Sequence, residues 1–170
     1  MAEMNVRNVN HALPRGVEYL REHGVLTETR NGQALVAPEP VMTTYEHPTE
    51  RVLFSPARNA NPFFHLFESL WMLAGRRDVG YVKQFVGRMS SFSDDGEVFN
   101  GAYGHRWRQH FGHDQLCKVI EGLHNNPACR RQVVAMWDGS HDLGLDSLDL
   151  PCNLAVHFQR NPMDHALLDM

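Results

Sequence analysis

The residue best suited to covalent chemistry is Cys152, which follows Pro151 and opens an apolar segment. A thiolate is the strongest common protein nucleophile near neutral pH, once nearby cations or dipoles lower the pKa of the thiol. A cysteine is more often a small buried hydrophobe, and we keep that interpretation for Cys117 and Cys129, which have no further chemical signal beside them. For Cys152 the residue pattern alone leaves both interpretations open.

Arg130 and Arg131 are adjacent, between a predicted helix and a predicted strand. Two guanidinium groups can bind a phosphate or a carboxylate through paired hydrogen bonds. Successive strand residues point to opposite faces, so both arginines can face one anion only if Arg130 lies in the loop. The alternative is a solvated pair at the entrance of a strand.

Glu68 is a carboxylate on a helix whose neighbouring side chains are mostly apolar. Three and four positions away lie Phe64, His65, Trp71 and Met72. Burial on that face would raise the pKa of Glu68 toward neutrality, which suits an acid–base group. The alternative is a side chain at the edge of the apolar stripe that reaches solvent.

Residues 103–108, which begin at Tyr103, concentrate aromatic and cationic side chains after Gly101. The segment alone is equally consistent with a loop whose side chains fill space in the structure and have no chemical role. His105, His110 and His113 match no standard metal-ligand spacing. The sequence therefore predicts no metal site.

Hydrophobic periodicity predicts the elements that must hold these residues. The clearest is a core helix over residues 61–75, from an asparagine–proline cap to a glycine stop. Its apolar stripe is formed by Phe63, Phe67, Leu70 and Ala74 and is widened by Phe64 and Trp71. Further helices are predicted over residues 14–23, 80–89 and 113–124, and strands over residues 131–137 and 153–159. Residues 25–54 are predicted to be extended, and residues 166–170 to begin a further strand.

Composition bounds the class of protein. At 170 residues the chain has the length of one domain, and 42% hydrophobic residues exclude wholesale disorder. A net charge of −4 argues against a surface built to bind nucleic acid or an anionic membrane. Three cysteines without paired spacing argue against a disulfide framework and against structural zinc. The sequence thus predicts a single cytoplasmic domain over residues 1–170, with no nucleic-acid or membrane partner.

Several short patterns follow one another from residue 30 to the end of the chain. They are Arg30-Asn31-Gly32, Glu-x-x-Trp-x-x-x-Gly from Glu68 to Gly75, Tyr-Gly-x-x-Trp-Arg from Tyr103 to Arg108, Asp114-Gln115-Leu116, Asn-Pro-x-x-Arg-Arg ending at Arg130-Arg131, the segment 134–138, and Pro151-Cys152. In this order the patterns resemble the thymidylate synthase family, which also includes the pyrimidine nucleotide hydroxymethylases.

The resemblance implies an α/β (α+β) fold, with a large mixed sheet at a dimer interface and helices on the other side. It implies that the Cys152 thiolate adds to a pyrimidine ring beside the carbon to be alkylated. The resulting enolate attacks the one-carbon unit of 5,10-methylenetetrahydrofolate. Glu68 is expected to organise water and proton transfers, and Tyr103 to assist proton removal at the alkylated carbon.

The resemblance also implies how a pyrimidine nucleotide monophosphate is bound. Arg30 and the pair Arg130-Arg131 are expected to hold the phosphate. The pair is expected to serve the neighbouring subunit's site, which implies an obligate two-fold homodimer. Further residues of the expected substrate and folate pocket are Trp71, Asn153 and Asp138.

Three departures from the family pattern affect the predicted function. Asn153 stands where the synthases usually have histidine, and residues 89–99 lack the tryptophans that shield the folate, with Met89 and Phe92 near those positions. Both departures favour a hydroxymethyl product, since water intercepts a poorly shielded intermediate more easily. The family's base-reading residue and other later segments lie beyond residue 170, so we expect a C-terminally incomplete domain.

The prediction from sequence is nevertheless folate-dependent C5 methylation of dUMP to dTMP, which is the default reaction of the family that the chain resembles. One alternative is a dUMP, dCMP or CMP hydroxymethylase of the same family. Another is a non-catalytic fragment that needs a missing C-terminal half. A nucleotide-binding domain on an unrelated fold has no support from a glycine-rich phosphate loop.

Overall fold

The computed structural model describes residues 1–29 and 32–160, which form two compact units. The first unit comprises residues 1–62, and the second begins at Phe63. The expectation of one domain that is incomplete at its C-terminus stays a prediction. Within the described residues, no helix is long and apolar enough to cross a membrane.

The first unit contains four strands and one long helix. Strand β1 (Ala2–Val6) pairs in parallel with β4 (Val41–Tyr45), while β2 (Val25–Thr29) and β3 (Gly32–Val36) form an antiparallel hairpin. Helix α1 (Val9–His23) begins before the predicted residue 14, because the Asn8 side chain accepts hydrogen bonds from the N–H groups of Asn10 and His11. A short 3₁₀ turn covers Pro56–Arg58.

The second unit is mainly helical. Helices α2 (Pro62–Leu73) and α3 (Val79–Lys83) are followed by a 3₁₀ segment, Gly87–Phe92. Helix α4 (Tyr103–His105) continues into a π-helical turn, Arg106–His110, and α5 (Gln115–Asn125) leads to the antiparallel strands β5 (Val133–Ala135) and β6 (Ala155–His157). Helices combined with strands confirm the α/β class. The sheets of the described residues are each two-stranded, one parallel and two antiparallel, and the large sheet at a dimer interface stays a prediction.

Helix α2 confirms the predicted helix but buries a different side from the one expected. Its predicted stripe is wrong at Phe63 and Leu70, whose side chains are exposed. The helix instead buries Trp71, with Phe64 and Met72 packed against the same core. The core is completed by Val79, Val82, Phe99 and Ala102. The cause is that α2 carries apolar side chains around most of its circumference, so spacing alone does not select the buried face.

The predicted helix over residues 80–89 is only partly correct. Asp78 caps α3 by accepting a hydrogen bond from the N–H of Tyr81, but the helix ends at Lys83. Val86 then takes an extended conformation, with φ −139° and ψ 99°, which interrupts helical hydrogen bonding. The strands predicted over residues 131–137 and 153–159 form at their centres only, and the strand predicted over residues 166–170 lies outside the described residues.

Candidate active site

The Tyr103 side chain contacts the backbone of Cys152, and both residues have an expected catalytic role. The backbone N–H of Cys152 donates a hydrogen bond to the phenol oxygen of Tyr103 at 3.2 Å. The phenol oxygen accepts in this bond, so its own proton can still be donated to another group. Cys152 is exposed and Tyr103 is half-buried. An exposed thiol on a residue whose backbone contacts a phenol can combine nucleophilic attack with proton transfer.

Gly101 allows the two chain segments of this pair to approach closely. A Cβ atom at this position would lie 2.9 Å from both the carbonyl carbon of Leu150 and the nitrogen of Pro151. The Gly101 N–H also donates a hydrogen bond to Oδ2 of Asp149 at 3.0 Å. The segment before Tyr103 is thereby held against the segment before Cys152.

Beside this pair, Arg106 and Asp142 form an ion pair whose side chains are completely buried. The guanidinium donates two hydrogen bonds to the carboxylate, at 2.7 and 2.9 Å. It donates two more to the carbonyl oxygen of Asn100, at 2.8 and 3.1 Å. Burial alone raises the pKa of Asp142, but the hydrogen bonds from Arg106 and from the Asp138 N–H outweigh it and hold that pKa below its usual value.

Asp138, an expected pocket residue, is occupied by contacts within the protein. Its carboxylate accepts hydrogen bonds from the Ser140 N–H and hydroxyl, at 3.0 and 2.6 Å, and lies 2.9 Å from Nε2 of His110. These contacts with Ser140 and then His110 hold the pKa of Asp138 well below its usual range. His110 therefore has a carboxylate partner that sequence inspection did not reveal. Even so, the described residues contain no group of three or more histidine, cysteine or acidic side chains placed to bind a metal.

Glu68 lies half-buried on α2. Burial raises the pKa of its carboxyl group, and the nearby His65 opposes that shift. This is the direction expected for an acid–base group on a partly apolar face. The hydrogen bond between Tyr103 and Cys152 does not involve Glu68, so a shared site for the three side chains stays a prediction.

Arg130 and Arg131 are exposed just before β5. The Arg130 carbonyl oxygen lies 3.1 Å from Nε2 of His157 on β6, which fixes the backbone of the pair beside the strands. Both guanidinium groups thus lie at the surface of their own chain. Cys129 precedes them, and hydrogen bonding from the Arg131 backbone lowers the pKa of its thiol despite the opposing effect of burial.

The remaining expected site residues are Arg30, Asn153 and Trp71. Arg30 lies outside the described residues, and Asn153 is exposed next to Cys152. Trp71 lies in the hydrophobic core, where its Nε1 donates a hydrogen bond to the carbonyl oxygen of Asp78 at 3.1 Å. Its role in a substrate or folate pocket therefore stays a prediction.

The interpretation of Cys117 and Cys129 as small buried hydrophobes is wrong. Cys117 is exposed and Cys129 is half-buried. Cys117 lies in the first turn of α5, where its N–H donates a hydrogen bond to the capping side chain of Asp114. Reagents in solution can therefore reach both thiols.

Sequence reasoning missed Asp149 and the Arg106–Asp142 pair. Asp149 lies three positions before Cys152, which is a signal that could have drawn attention to it. Arg106 and Asp142 are 36 positions apart, and no periodic pattern connects residues so separated.

Comparison with known proteins identifies relatives over nearly the whole chain. A family model described as thymidylate synthase matches residues 15–169. The chain is 57% identical over 159 residues to the deoxyuridylate hydroxymethyltransferase of Pseudomonas phage M6, a match that covers 94% of this chain and 45% of that protein. It is 37% identical over 139 residues to the protein of the same name from Bacillus phage SP01, covering 75% of this chain and 36% of the relative. The chain therefore spans less than half the length of these two relatives.

A solved structure supports the fold. The crystal structure of thymidylate synthase from T4 phage superposes with a TM-score of 0.58 at 19% identity. The match covers 88% of this chain and 57% of the phage protein. At this identity the likeness establishes the fold alone.

Proposed function

Since this chain belongs to the thymidylate synthase family, we propose that it takes part in folate-dependent transfer of a one-carbon unit to C5 of a pyrimidine nucleotide monophosphate. The proposed reaction is hydroxymethylation of dUMP, because two relatives carry the name deoxyuridylate hydroxymethyltransferase. Asn153 and the absence of tryptophan from residues 89–99 support the same product. Methylation of dUMP to dTMP is the second candidate, favoured by the description of the family model.

The observation that carries this proposal is the contact between Tyr103 and Cys152. The exposed Cys152 thiolate adds to the ring carbon next to C5, which makes C5 nucleophilic. Tyr103 is proposed to assist removal of the C5 proton once the new carbon–carbon bond has formed. The hydrogen bond from the Cys152 backbone to the phenol oxygen would keep both groups on the same side of the bound ring.

Glu68 is proposed to relay protons between solvent and the pyrimidine ring. Burial raises the pKa of its carboxyl group, which brings the protonated form closer to neutral pH. A carboxyl group with such a pKa can both donate and accept a proton during one catalytic cycle.

The cofactor in this proposal is 5,10-methylenetetrahydrofolate, which supplies the one-carbon unit. Phe92 has an exposed ring, and the guanidinium carbon of Arg88 lies 5.3 Å from the ring centroid. An aromatic ring next to a cation fits a cofactor that combines ring systems with a glutamate tail bearing carboxylates. We propose that Phe92 and Arg88 contribute to holding it.

The phosphate of the nucleotide is proposed to be bound by Arg30 and, from a second subunit, by Arg130 and Arg131. The exposure of the two adjacent arginines supports this arrangement, since guanidinium groups at the surface can reach a partner's site. The homodimer is tested by mixing a Cys152→Ser chain with an Arg131→Ala chain. Recovery of activity in the mixture supports a shared site, whereas a mixture as inactive as its components contradicts it.

The function is tested by counting tritium released to water from dUMP labelled at C5, in the presence of 5,10-methylenetetrahydrofolate. Both candidate reactions release this proton, so the assay tests the Cys152 chemistry before the product is known. Labelled dCMP tests the choice of base. Dihydrofolate formation then separates methylation, which oxidises the cofactor, from hydroxymethylation, which does not.

The matched controls are the other two cysteines. Cys152→Ser is expected to abolish tritium release, while Cys117→Ser and Cys129→Ser retain it. Equal loss in all three variants would point to a folding defect. A folded wild-type chain that releases no tritium from either nucleotide would refute the proposal and favour the non-catalytic alternative.

A further inference from the structure

Two loops meet at the Tyr103–Cys152 contact, and polar side chains join them. We call residues 100–103 the tyrosine loop and residues 147–152 the cysteine loop. The Asn100 amide donates a hydrogen bond to the Ser147 hydroxyl at 3.0 Å. The Gly101 N–H donates to Asp149 at 3.0 Å, and the Cys152 N–H donates to Tyr103 at 3.2 Å. The two loops are therefore connected at their start, middle and end.

Asp149 holds the middle of this connection. It is half-buried, and a Cβ atom on Gly101 would lie 3.0 Å from its Oδ1, so one carboxylate oxygen is bonded to the tyrosine loop and the other packs directly against it. Burial raises the pKa of Asp149, the Gly101 N–H opposes that shift, and the charges of Asp94 and Arg106 act in opposite directions. Partial burial of a carboxylate costs free energy, which its hydrogen bonds must offset.

We infer that Asp149 is a positioning residue, which fixes the tyrosine loop through the Gly101 N–H so that the Tyr103 hydroxyl stays at the backbone of Cys152. Gly101 is two residues before Tyr103, and Asp149 is three residues before Cys152. The hydrogen bond between Gly101 and Asp149 therefore sets the distance between residues 101–103, which end at Tyr103, and residues 149–152, which end at Cys152. The description of Tyr103 and Cys152 as a catalytic pair rests on the proposed function, whereas the effect of Asp149 on their geometry does not.

The test compares variants at position 149 that differ in the ability to accept a hydrogen bond. Asp149→Leu has a similar size but no acceptor, and Asp149→Asn keeps an acceptor oxygen. Asp149→Ala is a second variant without an acceptor, should the leucine variant not fold. Asp146→Ala removes an exposed carboxylate three positions earlier in the chain and is the matched control.

The first readout is amide hydrogen exchange of the full chain, resolved at Gly101 and Cys152. Loss of the acceptor is expected to speed exchange at both amides by about tenfold. Asp149→Asn and Asp146→Ala are expected to exchange at the wild-type rate. Core amides at Val119 and Val134 are expected to be unaffected in every variant, because these residues lie on α5 and β5, outside both loops, and are buried.

The second readout is tritium release from dUMP. Variants without the acceptor are expected to lose kcat with little change in KM, and Asp149→Asn to restore most of it. Unchanged exchange at Cys152, equal effects of leucine and asparagine, or equally faster exchange of the core amides would each overturn the inference. If the wild-type chain releases no tritium, the proposed function fails, and the exchange experiment still decides the role of Asp149.

Discussion

Breaking the Arg106–Asp142 ion pair should destabilise the second unit more than any exposed substitution. Both side chains are completely buried, and Arg106 donates four hydrogen bonds to Asp142 and to the Asn100 carbonyl oxygen. Asp142→Leu alone leaves the guanidinium charge buried without its counter-ion, and Arg106→Met alone leaves the carboxylate charge buried. Removal of one partner from such a pair costs about 3–5 kcal/mol. Since domains are stable by about 5–15 kcal/mol, either variant loses a large fraction of the total.

The double variant Arg106→Met/Asp142→Leu should cost less than the sum of the single variants. It leaves no buried charge, but the Asn100 carbonyl oxygen loses its donors and the Asp138 N–H loses its acceptor. Each unsatisfied backbone group costs about 1–3 kcal/mol, so we expect about 2–6 kcal/mol in all. The single costs sum to about 6–10 kcal/mol. The coupling free energy expected from the double-mutant cycle is therefore about 4 kcal/mol.

The assay is urea unfolding of the four chains, followed by tryptophan fluorescence. Arg76→Met is the control, because Arg76 donates a similar pair of hydrogen bonds to Asp78, at 2.7 and 2.8 Å, from an exposed position. An exposed pair contributes only about 0–1 kcal/mol. Single costs at Arg106 and Asp142 no larger than that of the control, or single costs that add in the double variant, would refute the reasoning.

The same pair predicts a dependence on pH. The pKa of Asp142 is lower in the folded chain than in an unfolded one, because its hydrogen bonds favour the carboxylate. A lowered pKa contributes stability that is fully present above the unfolded value of about 3.9 and is lost as pH falls through the folded value. The advantage of wild type over Asp142→Leu should therefore be constant near neutral pH and shrink below about pH 4. An advantage that grows in acid would contradict the assigned direction.

Two further predictions concern a crowded glycine and the carboxyl group of Glu50. Gly104→Ala should destabilise the chain by at least about 1–3 kcal/mol in the same urea assay, because the added methyl group would overlap the backbone of Met72. The control is Gly16→Ala, which lies at an uncrowded position in α1 and should be neutral or stabilising. Hydrogen bonds from Arg7 and then Asn8 lower the pKa of Glu50 to about 2 from 4.5, so its contribution to stability is present above pH 4.5 and is lost as pH falls toward about 2. An NMR titration should show Glu50 ionised at pH 4, and Glu50→Gln should lose less stability than wild type between these pH values.

The boundaries of the helices could be predicted where the sequence contains a cap and a stop. Helix α2 begins at Pro62 and is followed by Gly75, whose φ of +70° suits a residue without a side chain. The buried face of α2 could not be predicted, since exposed Phe63 and buried Trp71 are both strongly apolar. Trp71 is the buried one because it packs against Val79 and Phe99. These two residues come from other parts of the chain, so the pattern within α2 does not reveal them.

The contact between Tyr103 and Cys152 could be predicted only in part. Family resemblance implies that both side chains belong to one site, and the structure adds a hydrogen bond from the Cys152 backbone to the Tyr103 hydroxyl. The residues that support the pair are Asp149 and Arg106, and neither belongs to a periodic or short-range pattern. Asp149 contacts Gly101 across 48 positions and Arg106 contacts Asp142 across 36, so these contacts become visible only when the loops are placed in space.

Substitution of Asp142 should therefore affect both the stability of the second unit and the geometry of its candidate site. Strands β5 and β6 are each three residues long, so regular hydrogen bonding fixes little of the chain between them. The tyrosine loop is instead fixed from two sides, by Asp149 at Gly101 and by Arg106 at Asn100. Because Arg106 reaches Asn100 only while Asp142 balances its charge, loss of Asp142 releases one side of that loop as well as destabilising the core. If the chain has the proposed activity, Asp142 variants should lose tritium release at urea concentrations where most of the chain is still folded, whereas Arg76→Met should lose it only as the chain unfolds.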